Sequence, residues 1–294
     1  MANLQLGQDS TTPASTTPVD WLIGKFDWGD TLRSWMPTGF ESYVRILHPA
    51  YGSIREEGFE VAQTSIPWSA LREWSRRPLN ATSHILDLLY DSDGKEWSEH
   101  GLRGREPLEG QLDPSLLTEL LLQLTKWTTT PEEIWMLIWT GFGGPTDTVG
   151  LPIEISEQLS GSGRKYVLRT GAIVSTLEEH KDSFLEHAPS FWWPDDRAWF
   201  VSSDIDSSST YVGGSKELIE LILSGSILET FPADLNDLYD GLLVNRPPTW
   251  NVKIPFGKRF QLHLNYYLFH FGRQPASGTV IYREKRWWEW WLKP

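Results

Sequence analysis

Residues 191–214 read FWWPDDRAWFVSSDIDSSSTYVGG and hold three tryptophans, four carboxylates and a closing diglycine. The proline and two aspartates at 194–196 predict a turn, because proline cannot donate to a β-ladder and aspartate favours turns. Apolar residues on both faces of the following segment predict a strand at about 197–203. The β-forming residues 210–212 predict its partner. The stretch therefore indicates a β-hairpin.

A helix is predicted directly after this hairpin. Ser215 is suited to be its N-cap and Glu217 to interact favourably with its N-terminus. One apolar face then recurs at helical spacing, formed by Leu218, Ile219, Ile222 and Leu223. The unit is strand, loop, strand and helix, with Asp204 and Asp206 near the hairpin tip.

Further strands and helices are predicted along the chain. Alternating or continuous apolar runs predict strands at 40–47, 134–139, 165–169 and 260–271. Helices are predicted after Pro67, at 83–89, from Asp113–Pro114, at 177–187 and at 230–240. This mixture predicts an α+β (mixed α/β) fold with a central, mostly antiparallel sheet and flanking helices.

Composition bounds the class of protein. The chain of 294 residues has no cysteine, which excludes disulfides and cysteine-ligated metals. The Thr/Ser/Pro-rich residues 1–18 lack a basic start and an apolar core, so they predict a disordered tail rather than a secretory signal. We expect a single globular domain over 19–294, with a basic, Trp-rich strand segment at 246–294, and a cytoplasmic location.

The charge distribution narrows the choice of partner. The net charge is −13, but residues 250–294 carry eight Lys/Arg and two Glu, which leaves −19 on the remaining chain. Such an acidic body repels nucleic acid. No apolar run approaches the roughly 20 residues that span a bilayer. We expect a protein or small-molecule partner, with neither a membrane nor nucleic acid involved.

No cofactor signature is complete in this sequence. The glycine-rich loop TGFGGPTDTVG at 140–150 follows a predicted strand, but it lacks the lysine of a P-loop and does not open a helix. No Gly-x-Ser-x-Gly or His-Glu-x-x-His pattern occurs. We therefore expect no cofactor and no metal site.

The hairpin stretch is the candidate site. Our leading hypothesis is a non-enzymatic binding or protein-interaction domain, and its candidate binding residues are Trp192, Trp193, Asp195, Asp196, Arg197, Asp204, Asp206 and Tyr211. Arg197 has an alternative structural interpretation, as an intramolecular partner of the neighbouring aspartates. The tryptophans have one as well, since most of the 17 in this chain must be core.

The competing hypothesis is a hydrolase that uses the same carboxylates. Asp204 and Asp206, with His180, supply the groups that acid–base chemistry needs, and paired carboxylates are what glycoside hydrolysis or a metal-assisted reaction requires. Against it, carboxylates on a flexible tip keep ordinary pKa values and no fixed separation.

Three segments resemble a family of actinobacterial conserved hypothetical proteins. They are FESYVRILHPA at 40–50, IWTGFGG at 138–144 and WWPDDRAWFVSSDIDSSSTYVGGS at 192–215. The resemblance spans roughly residues 35–235 and implies one domain. It supplies no catalytic residues.

Overall fold

A computed structural model describes residues 17–27, 29–56, 59–89, 104–105, 107–141, 151–153, 164–173 and 189–239. All of them belong to the first of the two units into which the chain divides, residues 1–250. The predicted tail up to residue 16, the second unit (251–294) and the predicted elements at 177–187, 246–294 and 260–271 lie outside the described residues.

A large antiparallel sheet dominates the described chain. Its eight strands lie in the order β11-β1-β10-β9-β8-β5-β7-β6. Their bounds are β1 Ser42–Leu47, β5 Ile134–Trp139, β6 Leu151–Ile153, β7 Tyr166–Gly171, β8 Phe191–Pro194, β9 Phe200–Ser202, β10 Ser209–Gly214 and β11 Thr230–Ala233. A second sheet has the order β3-β2-β4, from β2 Ala50–Glu56, β3 Phe59–Ile66 and β4 Gly104–Arg105.

Four α-helices accompany the sheets in the described ranges: α1 Trp68–Ser75, α2 Ile85–Leu88, α3 Pro114–Leu124 and α4 Lys216–Ser224. Short 3-10 helices lie at Asp20–Leu22, Leu32–Ser34 and Thr125–Trp127. Asp113 accepts a hydrogen bond from Ser115 N at the start of α3, and Ser215 accepts one from Leu218 N at the start of α4. The α+β prediction and both predicted N-caps are confirmed.

The large sheet separates two apolar cores. One face of the sheet, which carries Phe191 on β8 and Phe200 on β9, packs into an aromatic core with Trp35, Tyr166 and Trp193. The other face packs against α3 and α4 and forms a helix-side core. Its members are Val44, Ile46, Trp192, Trp199, Val201 and Val212 together with Leu120, Leu121, Leu124, Leu218, Ile219 and Ile222. Successive side chains of a strand point to opposite sides of the sheet, so neighbouring residues such as Trp192 and Trp193 enter different cores.

Two sequence predictions are wrong in detail. Residues 191–194 form β8, whose register pairs Pro194 with Ile134, so the turn begins one residue later than predicted. The strand predicted from 197 begins only at Phe200, since Arg197 adopts a left-handed φ of 57°.

The helix predicted at 230–240 is absent from the described residues, because β11 occupies its start. Pro232 disfavours a helix interior, and a proline is tolerated in a sheet when its strand lies at an edge. Among the strands that the structure describes, β11 is such an edge, since it pairs with β1 alone. The pattern of apolar residues alone did not reveal this.

No helix in the described part of the chain is long and apolar enough to cross a membrane.

Trp199 offers a direct test of the helix-side core. Its side chain is 0% exposed and its indole Nε1 donates to Leu124 O at 3.1 Å. We expect Trp199→Ala to lower the free energy of unfolding by about 3–5 kcal/mol, the usual range for large core truncations. The matched control is Ile227→Ala, at a side chain that is 59% exposed, where we expect about 0.5 kcal/mol or less. Chemical denaturation measures both, and equal losses would contradict the burial.

Candidate functional site

The loop between β9 and β10 is a packed turn rather than a flexible tip. Ser207 N donates to Asp204 O at 2.9 Å, and Gly110 N donates to Ser207 O at 2.9 Å. At 110, φ is +74° and a Cβ would lie 2.8 Å from Ile205 Cα, so a glycine is required there. The expectation of carboxylates on a flexible tip is therefore wrong.

A buried chain of hydroxyls fixes the base of this loop. His48 Nδ1 donates to Leu108 O at 2.6 Å, because a carbonyl can only accept. With a neutral ring, His48 Nε2 then accepts from Thr210 Oγ1 at 2.8 Å. Thr210 Oγ1 in turn accepts from Ser203 Oγ at 2.6 Å. These bonds hold the strands on both sides of the loop in register.

The loop presents two carboxylates to one guanidinium. Asp204 accepts from Arg164 Nη1, and Asp206 accepts from Arg164 Nη2 at 2.6 Å. Asp206 N also donates to Asp204 Oδ1 at 3.1 Å, which sets the two carboxylates side by side. The side chains are 1% exposed at Asp204, 19% at Arg164 and 37% at Asp206. The ion-pair cluster thus runs from the interior to the surface.

Strand pairing brings Arg164 to this place. Strands β5 and β7 pair so that Trp139 lies opposite Tyr166, and Thr140 N extends the ladder to Lys165 O at 3.0 Å. The indole of Trp139 folds over the backbone of Gly141, where a Cβ would overlap the ring. The first glycine of the glycine-rich loop therefore makes room for an aromatic side chain.

Two indoles flank the guanidinium. The Arg164 Cζ lies 4.8 Å from the ring centroid of Trp35 and 5.9 Å from that of Trp139, within the range of cation–π interactions. Trp35 is itself held by stacking on Tyr239, with the centroids 5.2 Å apart. We name the set of Trp35, Trp139, Arg164, Tyr166, Asp204 and Asp206 the arginine cage.

Burial and charge oppose each other inside the cage. Burial raises the pKa of Asp204 to about 6, the Arg164 charge opposes this rise, and the neighbouring Asp206 carboxylate adds to it. Burial works against the charge of Arg164, but Asp204 and Asp206 outweigh it and hold the arginine pKa above its usual value. Asp204 thus titrates well above an ordinary carboxyl while Arg164 stays charged.

Tyr166 is the buried phenol of the cage and interacts electrostatically with Asp204, Asp206 and Arg164. Burial raises the pKa of its phenol, the negative charge of Asp204 adds to the rise, and Arg164 opposes it. The hydroxyl is fully buried and makes no hydrogen bond of normal geometry with the described residues, although the guanidinium is close enough to influence its titration. A buried polar atom without a partner is uncommon in folded proteins.

The other acidic pair of the hairpin, Asp195 and Asp196, makes hydrogen bonds within the protein. Asp196 accepts hydrogen bonds from Thr129 N at 2.6 Å and from Thr128 Oγ1 at 2.9 Å. Partial burial opposes its charge, but these bonds and those from Thr129 Oγ1 and Ala198 N hold its pKa below the usual value. Asp195 accepts from Trp135 Nε1 at 3.0 Å.

The other predicted site residues lie apart from the cage or inside the cores. The Arg197 guanidinium stacks over Trp21 at 5.5 Å. Trp192 is buried in the helix-side core, and Trp193 and Tyr211 are buried in the aromatic core. His180 lies outside the described residues. Of the predicted binding residues, Asp204 and Asp206 are the two that the structure places in the cage.

The sequence offered few signals for the remaining cage residues. Trp139 ends one predicted strand and Arg164 precedes another, so pairing of these two strands would have placed them together. The patterns gave no means of choosing that pairing. Trp35 lies in a segment that the sequence marks only as a loop with short turns.

Within the described ranges, no three His, Asp or Glu side chains come close enough together to hold a metal ion. No protein-family model, curated protein or solved structure matches this chain. The resemblance to actinobacterial conserved hypothetical proteins therefore stays a prediction.

Removing the guanidinium tests the energetics of the cage. Arg164→Ala leaves Asp204 as a buried charge with no cation beside it, so we expect a loss of about 3 kcal/mol at pH 7.5. The double variant Arg164→Ala/Asp204→Asn should recover most of this loss, because the stranded charge is gone. Arg197→Ala is the matched control, with about 1 kcal/mol or less expected for a stacked surface arginine. Denaturant unfolding measures all three, and additive losses in the double variant would contradict the coupling.

The raised pKa of Asp204 predicts a pH dependence. The folded protein holds this proton more tightly than the unfolded chain, so stability falls as the pH rises from about 4 to about 6. The difference in unfolding free energy between wild type and Asp204→Asn should change by about 2–3 kcal/mol across that window and stay level above about pH 7. Carboxyls outside the cage contribute equally to both proteins and cancel. A difference that does not vary with pH would contradict the raised pKa.

Proposed function

We propose that this chain is a non-enzymatic binding protein whose ligand site is the arginine cage. The observation that carries the proposal is the pair of carboxylates converging on one guanidinium between two indoles, with one carboxylate buried and the other at the surface. Aromatic side chains combined with a few charged or polar groups are typical of small recognition sites. The ligand is a small molecule or a side chain of a partner protein.

The arrangement favours binding over hydrolysis. Both carboxylates are ion-paired with the same arginine, so a general acid or a nucleophile would first have to break that pair. Asp204 is buried, which leaves Asp206 as the carboxylate of the two that reaches solvent. A site whose two acids are both held by one arginine resembles a recognition surface more than a reaction centre.

One observation favours the hydrolase alternative. A carboxyl with a pKa of about 6 is suited to donate and accept protons near neutral pH, and such shifts are common in active sites. In that alternative Asp204 would be the acid and Asp206 its partner. The experiment below separates the two functions.

The proposal predicts a specific response to small probes. Melting temperatures are measured with agmatine, citrate, cellobiose and indole, which represent cationic, anionic, sugar and aromatic ligands. We expect at least one probe to raise the melting temperature of the wild type by about 2 °C or more, because a ligand that binds only the folded state stabilises it. Asp206→Asn should abolish that response.

Asp195→Asn is the matched control, since it removes the same charge from the same hairpin outside the cage, and it should respond like the wild type. Turnover is tested in parallel with p-nitrophenyl glycosides, with and without Mn²⁺. No response to any of the four probes would overturn the binding proposal. Release of p-nitrophenol that is lost in Asp204→Asn would replace it with the hydrolase.

We also propose a cytoplasmic location, which the sequence analysis predicts. Cell fractionation with an antibody against the chain tests it, and recovery in the culture medium would overturn it.

A further inference from the structure

The groups that surround the Arg164 guanidinium indicate which chemical group the cage can bind. Two carboxylates accept from two different amino nitrogens, and two indole faces cover the planar cation. A guanidinium combines a planar fork of donors with the ability to stack on aromatic rings, whereas an ammonium group is a compact point charge. The geometry is therefore selective for the guanidinium shape.

The charges of the cage do not cancel. One arginine faces two carboxylates, so the cluster carries a net charge of −1 when both are ionised. The buried Tyr166 hydroxyl makes no hydrogen bond of normal geometry with the described residues, and the charges of Asp204, Asp206 and Arg164 all act on it. The cage thus holds two carboxylates and a phenol around a single guanidinium.

We infer that the arginine cage binds a guanidinium group of a ligand, which takes the place of Arg164. This inference rests on the proposed binding function and names its ligand class. Arg164 is the partly exposed member of the ion pair with Asp204, so its guanidinium can leave towards solvent while the incoming group restores both ion pairs. In the absence of ligand, Arg164 keeps the buried carboxylate paired.

The exchange makes Arg164 a competitor of the ligand. A ligand that must displace an internal group binds with an affinity reduced by the fraction of molecules in which the site is open. Weakening the internal competitor should therefore strengthen binding. Arg164→Lys weakens it, since an ammonium cannot reproduce the two-nitrogen contact, and Arg164→Ala removes it.

The inference is tested by calorimetric titration with three probes: agmatine, the peptide acetyl-Gly-Arg-Gly-amide and butylamine. We expect the affinity for agmatine to rise from wild type to Arg164→Lys to Arg164→Ala, with a total gain of about 10- to 100-fold. Butylamine should bind Arg164→Ala at least about 10-fold more weakly than agmatine. A peptide that binds more tightly than agmatine would assign the guanidinium to a protein partner, and the reverse order to a small molecule.

Two variants control for changes in folding. Tyr166→Phe removes a hydroxyl that makes no hydrogen bond of normal geometry with the described residues, so it should change the melting temperature little while weakening agmatine binding about 3- to 10-fold. Asp206→Asn should abolish binding in every background. If Arg164→Ala does not fold, the comparison of Arg164→Lys with wild type carries the test.

Two results would overturn the inference. Binding of agmatine by Arg164→Ala without any binding of either guanidinium probe by wild type would make Arg164 a permanent structural pair. Binding of citrate, cellobiose or indole at the cage without binding of either guanidinium probe would keep the proposed function and reject this ligand class.

Discussion

The burial of one carboxylate is the constraint on which this site depends. Asp204 is almost inaccessible to solvent, and a lone charge in that position would cost several kcal/mol. Arg164 supplies the compensating charge from the residues just before β7, and in the sheet β7 is separated from β9 by the two strands β8 and β5. The pairing of these four strands therefore brings the two charges together. The ion pair consequently links local turn geometry to the long-range topology.

The same constraint explains why so many small polar residues surround the loop. Ser203, Ser207, Ser209 and Thr210 are buried, and each of them takes part in a hydrogen bond with the loop or its flanking strands. Hydroxyl groups satisfy buried backbone atoms without adding charge or much volume. The serine run at 207–209 therefore satisfies buried polar groups, although in the sequence it resembles a solvated linker.

Local patterns predicted much of the fold and little of the site. Residues 134–139 were correctly predicted as a strand, and Asp113 and Ser215 as helix caps, because periodicity and capping depend on neighbours in the chain. The exposure of Asp204 was wrongly predicted, since it depends on Gly110, distant in the sequence, packing against the loop. Arg164 was missed because its role arises from strand pairing, which single-sequence patterns do not specify.

The outer strands of the large sheet have a consequence for association between molecules. Strand β6 contains Pro152 and strand β11 contains Pro232, and each pairs with a single neighbour in the described sheet. A proline removes one backbone donor from the row of groups that an approaching strand would need. Both margins are therefore poor templates for edge-to-edge growth into fibrils. The sheet can expose its ends without recruiting further copies of itself.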